Sequence, residues 1–156
     1  MKAIMKYPGS KWGTAAWIIG HFPDHHSYLE PFFGSGAVFF NKPRSDIETI
    51  NDINGDVVNL FKWIKDDPEK LAHEIYFTPY SRAVYEDAYQ REPENSLEAA
   101  VLFYIRLNMG HGFRTNGKKS GGSLIFRDAK GPMPPKIGRT FRGRYYKPRN
   151  GCGAYR

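Results

Sequence analysis

The sequence has very little cysteine. Its single cysteine, Cys152, has no second thiol with which to form an internal disulfide, and small secreted domains that depend on disulfides carry several pairs. The same scarcity gives no reason to expect a zinc site built from cysteine pairs. We therefore expect a cytoplasmic protein.

Long hydrophobic runs are also missing. The longest apolar stretches, residues 15–19 and 99–105, are far shorter than the roughly 20 residues that cross a bilayer as a helix. The N-terminus lacks the continuous apolar segment of a signal peptide. The sequence therefore predicts no membrane partner.

Acidic residues nearly disappear toward the C-terminus. Residues 1–118 hold 13 Lys and Arg against 15 Asp and Glu, whereas residues 119–156 hold ten Lys and Arg against Asp128 alone. The net charge of +7 therefore arises from a local charge of +9 on the last 38 residues. Such a segment can attract nucleic acid electrostatically.

A metal site has no clear signature either. His21, His25 and His26 cluster near the end of a candidate helix, but no Cys, Asp or Glu shares a recognisable zinc spacing with them. Exposed loop histidines are the simpler interpretation, and we predict no metal.

The first 66 residues alternate helical and strand patterns. Apolar residues at i, i+3, i+4 and i+7 predict an amphipathic helix over 56–64. The other predicted elements here are a helix over 11–21, a strand over 27–29 running into Glu30, a helix over 37–41 and a strand over 47–51. This β-α-β-α order favours a parallel α/β sheet.

Residues 67 onward read as helical until the pattern stops near residue 119. Helices are predicted over 69–76, from 82 to 89 and from 97 to about 107, the last capped by Asn95 or Ser96. Residues 119–156 contain seven glycines and four prolines and carry no clear periodicity. We expect aromatic core positions at Phe32, Phe39, Phe40, Phe61 and Trp63.

A glycine-rich turn between a strand and a helix is the strongest local signal. Gly34 and Gly36 permit a sharp turn and close approach to a cofactor, although glycines alone equally fit a plain structural turn. Asp52 follows Gly34 by 18 residues, close to the offset at which an acid binds ribose hydroxyls. Asp52 could instead cap the next helix, and both roles are compatible.

The order of three motifs carries a family resemblance. Tyr-x-Gly-Ser-Lys at residues 7–11, Glu-Pro-Phe-x-Gly-Ser-Gly at 30–36 and Asn-Asp-Ile-Asn at 51–54 follow one another. The chain up to about residue 118 resembles the Dam-type DNA adenine-N6 methyltransferases, in which the motifs run in this order.

The resemblance implies an incomplete Rossmann-like α/β methyltransferase core with a helical target-recognition insert. It implies S-adenosylmethionine as the cofactor and methyl transfer to adenine N6 of double-stranded DNA. The matching cofactor-binding positions are Tyr7, Gly9, Ser10, Lys11, Glu30, Pro31, Phe32, Gly34, Gly36 and Asp52. Domain boundaries then follow at 1–66 for the core, 67–118 for the start of the recognition domain and 119–156 for a basic tail.

The segment after residue 105 is similar to the family's DNA-recognition loop. We expect DNA contacts from Arg106, Asn108, His111, Arg114 and Asn116. Arginine can bind guanine edges or phosphate, and asparagine can read adenine. A solvated loop of ordinary turn residues is the alternative.

The family's Asp-Pro-Pro-Tyr tetrapeptide, which holds the flipped adenine, is absent from these 156 residues. No catalytic residue is therefore assigned. When the sequence from residue 121 onward is back-translated, a permitted choice of codons lets the reading frame that starts at the third base of each codon encode a different peptide. That peptide has a helical pattern and is similar to the segment that the family carries between its recognition loop and its catalytic motif. We expect a frameshift near residue 119 and a disordered or out-of-frame tail. We also expect the chain to be an inactive fragment with exposed apolar sheet edges, with a second chain supplying the catalytic half.

Two other functions stay open. A non-catalytic DNA- or cofactor-binding protein would use the basic tail as a nonspecific grip. An unrelated nucleotide-dependent α/β enzyme is permitted by the glycine-rich turn alone.

Overall fold

The computed structural model describes residues 3–110. Its helices are short at the N-terminal end and longer toward the C-terminal end. In chain order the elements are α1 (Ala15–Ile19), β1 (Ser27–Glu30), α2 (Ala37–Asn41), β2 (Ile47–Ile50), α3 (Gly55–Asp66), α4 (Pro68–Phe77), α5 (Arg82–Gln90) and α6 (Ser96–Met109).

The two strands form a small parallel sheet, as the β-α-β order predicted. Ser27 is opposite Ile47 and Glu30 is opposite Ile50. Helix α2 connects the strands, because parallel neighbours require a crossover rather than a tight hairpin. The carboxyl ends of both strands therefore lie at one edge, followed by the glycine-rich turn and by Asp52.

Side-chain caps set where the longer helices begin. Asn54, Asp67, Ser81 and Asn95 each accept a hydrogen bond from a backbone N–H in the first turn of the following helix. Each cap satisfies one of the four donors that a helix start leaves without an intrahelical partner. Pro68 occupies the first turn of α4, where no N–H is required.

Helix α1 is shorter than the predicted helix over 11–21. The backbone N–H of Thr14 donates to the carbonyl of Lys11, and Ser10 donates likewise to Tyr7. These two turns occupy residues 7–14, so the helix begins only at Ala15.

The core is one hydrophobic cluster that extends from Ile4 and Met5 to Met109. Phe33 and Phe61 meet edge to face with ring centroids 4.7 Å apart, a geometry that aromatic pairs favour. Residues from both sides of position 66 contribute to the cluster, so the predicted boundary there is not marked by a break in the core.

Of the five aromatic residues predicted to lie in the core, three are buried, one is partly buried and one is exposed. Phe39, Phe40 and Phe61 are buried, and Trp63 packs against the cluster while partly exposed. Phe32, however, is 81% exposed, and its neighbour Phe33 fills the core position. Phe33 packs against the rings of Phe39, Phe40 and Phe61.

Helix α6 lies at the centre of the helical part and packs against α3, α4 and α5. Its residues from Ala100 to Ile105 are all buried. A helix that is apolar on every side is typical of a core position. Within residues 3–110, no helix combines the length and apolarity needed to cross a bilayer.

Candidate cofactor site

Two chain segments enclose a hollow of about 380 Å³ at the carboxyl edge of the sheet. The first is the N-terminal turn of residues 7–11, and the second is the glycine-rich turn of residues 30–36, which follows β1. Asp52, just after β2, completes the wall. We call this space the N-terminal hollow; its volume lies within the range of small-molecule sites.

Most of the sequence-predicted cofactor positions line the N-terminal hollow. They are Tyr7, Gly9, Ser10, Lys11, Glu30, Phe32, Gly34 and Asp52. Pro31 and Gly36 do not line it. The side chains of Lys11, Glu30 and Asp52, from three separate segments, therefore border one space.

Glycine is required at two points of the turn. Gly34 has φ +49°, and a Cβ there would lie 3.2 Å from the Tyr7 ring that forms the opposite wall. Gly36, with φ +65°, starts α2, and its Cβ would lie 2.6 Å from atoms of both Phe33 and Phe40. Gly36 thus affects the hollow indirectly: because it has no side chain, the turn can pack closely against the rings of Phe33 and Phe40.

Asp52 fixes the position of the glycine-rich turn. Its Oδ2 accepts a hydrogen bond of 2.7 Å from the backbone N–H of Gly34, and its Oδ1 accepts one of 2.9 Å from the N–H of Asn54. The helix-capping alternative for Asp52 is wrong, because Asn54 is the residue that caps α3. A carboxylate has about four acceptor positions, so both oxygens can accept further bonds.

Glu30 is held by one of its two carboxylate oxygens. Its Oε2 accepts from the Tyr28 hydroxyl at 2.9 Å and from the backbone N–H of Phe39 at 3.1 Å. Burial raises the pKa of Glu30, and the Tyr28 bond, the Phe39 bond and the Lys42 charge partly counter that rise.

Tyr7 and Lys11 form the N-terminal wall. Burial raises the pKa of the Tyr7 hydroxyl, a bond to the Asn54 side chain opposes the rise, and the Asp52 carboxylate adds to it. Lys11 is exposed, and its ammonium donates to the carbonyl of Gly9 at 2.7 Å. Two more of its N–H donors can reach a ligand.

Sequence reasoning missed Ser35, which joins the two walls. Its hydroxyl lies 2.7 Å from the Ser10 hydroxyl and accepts a bond of 3.2 Å from the Trp12 indole N–H. Ser35 is only 4% exposed. Its place between two glycines of a turn was the available signal.

A second hollow of about 340 Å³ lies between β2 and α3. It shares Asp52 and Phe33 with the N-terminal hollow, and its other lining is mainly apolar, with Ile50, Val57 and Phe61 among its residues. Nothing in the sequence pointed to it.

The predicted DNA contacts divide into three groups. Arg106 forms an ion pair of 3.3 Å with Asp56 on α3 and keeps a quarter of its side chain exposed. Asn108 is buried: its amide donates to the Tyr104 carbonyl at 2.9 Å, and its Oδ1 accepts from the Lys6 N–H at 3.4 Å. These bonds place Asn108 inside the fold, so it is not among the DNA contacts that we propose.

The remaining predicted DNA residues, His111, Arg114 and Asn116, lie outside the described residues, as does the basic tail of residues 119–156. Within residues 3–110, no group of three or more His, Cys, Asp or Glu is arranged to hold a metal ion. His26 instead bonds Asp46 at the surface, at 2.6 Å.

Comparison with known proteins places these features in a family. Residues 7–106 match the D12 class N6 adenine-specific DNA methyltransferases. The chain is similar to the DNA adenine methylase of Vibrio cholerae serotype O1, with 28% identity over 86% of this chain and 51% of that protein.

Two further relatives agree. The DNA adenine methylase of Salmonella typhi is 32% identical over 70% of this chain and 41% of its own length. A type II methyltransferase of Lactococcus lactis subsp. cremoris is 26% identical over 76% of this chain and 45% of its own length. The chain spans about half the length of these curated relatives or less. The match over residues 7–106 covers most of the chain and includes both walls of the N-terminal hollow, and the chain therefore belongs to the D12 class of N6 adenine-specific DNA methyltransferases.

Proposed function

We propose that this chain forms the S-adenosylmethionine-binding part of a DNA adenine-N6 methyltransferase, together with the start of its target-recognition domain. The observation that carries the proposal is the convergence of Lys11, Glu30 and Asp52 on one hollow. In this assignment β1, α2, β2 and α3 begin a Rossmann-like core, and α4 to α6 begin the recognition domain.

The groups around the N-terminal hollow complement the cofactor chemically. The Lys11 ammonium suits its α-carboxylate, the Glu30 carboxylate suits its α-ammonium, and Asp52 retains acceptor positions for ribose hydroxyls. The glycines at 9 and 34 keep side-chain atoms out of the space. When bound, S-adenosylmethionine supplies a methyl group activated by the sulfonium.

The residues of this chain then bind and orient rather than exchange protons. Positioning two reactants lowers the barrier by removing the entropy cost of bringing them together. Ser35, through Ser10 and Trp12, keeps the two walls at a fixed separation. The Asp-Pro-Pro-Tyr tetrapeptide is absent from these 156 residues, so we infer that these residues by themselves bind cofactor with little methyl transfer.

Double-stranded DNA is the proposed macromolecular substrate. Arg106, at the end of α6, and His111, Arg114 and Asn116 beyond it are the proposed contacts. The Asp56 pair orients the Arg106 guanidinium while leaving part of it exposed. Phosphate contacts would fix the register, and base contacts would provide specificity.

Calorimetric titration with S-adenosylmethionine tests the cofactor assignment. We expect binding by the unsubstituted chain, a loss of binding in Asp52→Ala, weakened binding in Asp52→Asn and no change in the control Asp24→Ala, an exposed loop acid. Circular dichroism checks that each variant folds. Binding of NAD in place of S-adenosylmethionine would contradict the proposal and favour an unrelated nucleotide-dependent enzyme.

A tritiated-methyl transfer assay with mixed duplex DNA tests the catalytic part. We expect almost no incorporation with this chain alone. Clear incorporation at low protein concentration would contradict the inference that these 156 residues transfer little methyl by themselves.

The charge of residues 119–156 favours one second candidate, a non-catalytic DNA-binding protein. In that case deletion of residues 119–156 abolishes DNA retention together with its salt dependence. Under the methyltransferase proposal, the same deletion leaves S-adenosylmethionine binding unchanged.

A further inference from the structure

Lys42 is a fully buried lysine close to the N-terminal hollow but outside its lining. Its side chain is 0% exposed, and its ammonium bonds Glu48 Oε1 at 2.6 Å, Ser45 Oγ at 2.9 Å and the Pro43 carbonyl at 2.9 Å. Three acceptors match the three N–H donors of an ammonium. These three hydrogen bonds hold the buried ammonium of Lys42 in place.

The Lys42 ammonium also lies over an aromatic ring. The distance from its Nζ to the centroid of the Tyr28 ring is 4.2 Å, within the range of cation–π attraction. Tyr28 is opposite Glu48 in the sheet register. The Lys42–Glu48 pair therefore fixes the ring of Tyr28 from one side.

The hydroxyl of the same tyrosine bonds Glu30. It donates to Oε2, the oxygen that also accepts from the Phe39 N–H. Among the described residues, Oε1 of Glu30 accepts no hydrogen bond, and Glu30 lines the N-terminal hollow. The arrangement uses one carboxylate oxygen for anchoring and leaves the other for a ligand.

We propose that Lys42 and Tyr28 are positioning residues that hold the Glu30 carboxylate ready for the α-ammonium of S-adenosylmethionine. The inference rests on the proposed function and adds two residues to it. Neither residue touches the cofactor; both act through Glu30. The family resemblance had assigned neither position a role.

A pair of ligands separates positioning from general structural damage. S-adenosylmethionine carries the α-ammonium, whereas 5′-methylthioadenosine carries the adenosine part without the amino-acid end. We expect Tyr28→Phe to weaken S-adenosylmethionine binding about tenfold, the order expected for a lost hydrogen bond to a charged group, and to leave 5′-methylthioadenosine binding unchanged. The control Tyr76→Phe, at an exposed tyrosine of α4, should change neither.

The pH profile gives a second readout. The groups lining the hollow with Glu30 or bonded in its network are Tyr7, Lys11, Tyr28, Lys42, Glu48 and Asp52. The Tyr28 bond favours the ionised form of Glu30. In Tyr28→Phe the fall in S-adenosylmethionine affinity on acidification should therefore move to higher pH.

A double-mutant cycle completes the test in the full chain. If Tyr28 acts through the charge of Glu30, Tyr28→Phe in a Glu30→Gln background should cause little further loss of affinity. Equal weakening of both ligands by Tyr28→Phe, or unchanged S-adenosylmethionine binding, would overturn the positioning role alone. An unsubstituted chain that binds neither ligand would overturn the proposed function itself.

Discussion

At the scale of single residues, Gly36 has the least tolerance for change. A Cβ at this position meets the rings of Phe33 and Phe40, and its φ of +65° is unfavourable for any L side chain. We expect Gly36→Ala to lower the free energy of unfolding by about 2–4 kcal/mol, combining the left-handed backbone with overpacking.

Urea denaturation measures the effect of Gly36→Ala. Gly13→Ala is a matched control, because a Cβ at Gly13 meets no atom within 4 Å. Similar losses in the two variants would contradict a specific requirement for glycine at position 36.

Glu30, in contrast to Gly36, lowers the stability of the folded state when its carboxylate is charged. Burial raises its pKa above the ordinary value of 4.5, so the native state binds a proton more tightly than the unfolded chain does. The contribution of Glu30 to stability is therefore present below pH 4.5 and is lost as pH rises through the folded pKa.

We expect Glu30→Gln to remove that dependence. Urea unfolding at a series of pH values should show a smaller decline in stability above pH 4.5 in the variant than in the unsubstituted chain, while S-adenosylmethionine binding is weakened but still measurable. An unsubstituted chain that gains stability relative to Glu30→Gln between low and neutral pH would contradict a raised pKa for Glu30.

Residue types could be predicted from the sequence better than their surroundings. Asp52 and Lys11 stand out in motifs, but nothing local indicates that Asn108 is buried or that Phe33, and not Phe32, enters the core. Those outcomes depend on partners far along the chain, such as Lys6, which bonds Asn108 across 102 positions.

At the scale of elements, the caps control the helical part. Asn95 accepts from the Glu98 N–H at 3.0 Å at the start of α6, the helix that packs against α3, α4 and α5. We expect Asn95→Ala to lower the free energy of unfolding by about 1 kcal/mol, a typical loss for an N-cap. Glu92→Ala, in the exposed loop just before it, should have almost no effect.

Thermal and urea unfolding of these two variants check the prediction. Equal stability of Asn95→Ala and the unsubstituted chain would mean that packing alone holds the first turn of α6.

Helices with clear amphipathic spacing were predicted within a few residues. The pattern over 56–64 became α3, and a first-turn proline correctly located α4. Helix α1 was overextended, because its apolar spacing does not reveal that residues 7–14 bond among themselves as turns. The sequence thus predicts periodic elements well and short turns poorly.

At the scale of the whole molecule, the small sheet is covered unevenly. Tyr28 and Glu48 share the side that carries Lys42, whereas Leu29 is 62% exposed and Ile47 is 53% exposed on the other side. Parallel sheets are normally covered on both faces. The exposed apolar surface described by these values is a face of the sheet, and the expectation of exposed apolar edges stays a prediction.

We expect this surface to promote self-association. The double variant Leu29→Thr with Ile47→Thr should remain monomeric to higher concentration in sedimentation velocity, with little change in stability because both side chains are already exposed. Phe77→Thr, which removes an equally exposed ring from α4, is the control. Identical association of the double variant and the unsubstituted chain would exclude this face as the cause.

The first residues of the chain depend on the last helix described. Ile4 and Met5 are buried, and Lys6 donates to Asn108 from both its backbone N–H and its ammonium, at 3.4 Å each. Tyr7 follows directly, so one wall of the N-terminal hollow is tethered to α6. A cofactor that orders this wall should slow amide exchange in the C-terminal turn of α6 more than in α5, and local opening of α6 should in turn loosen the grip on the cofactor.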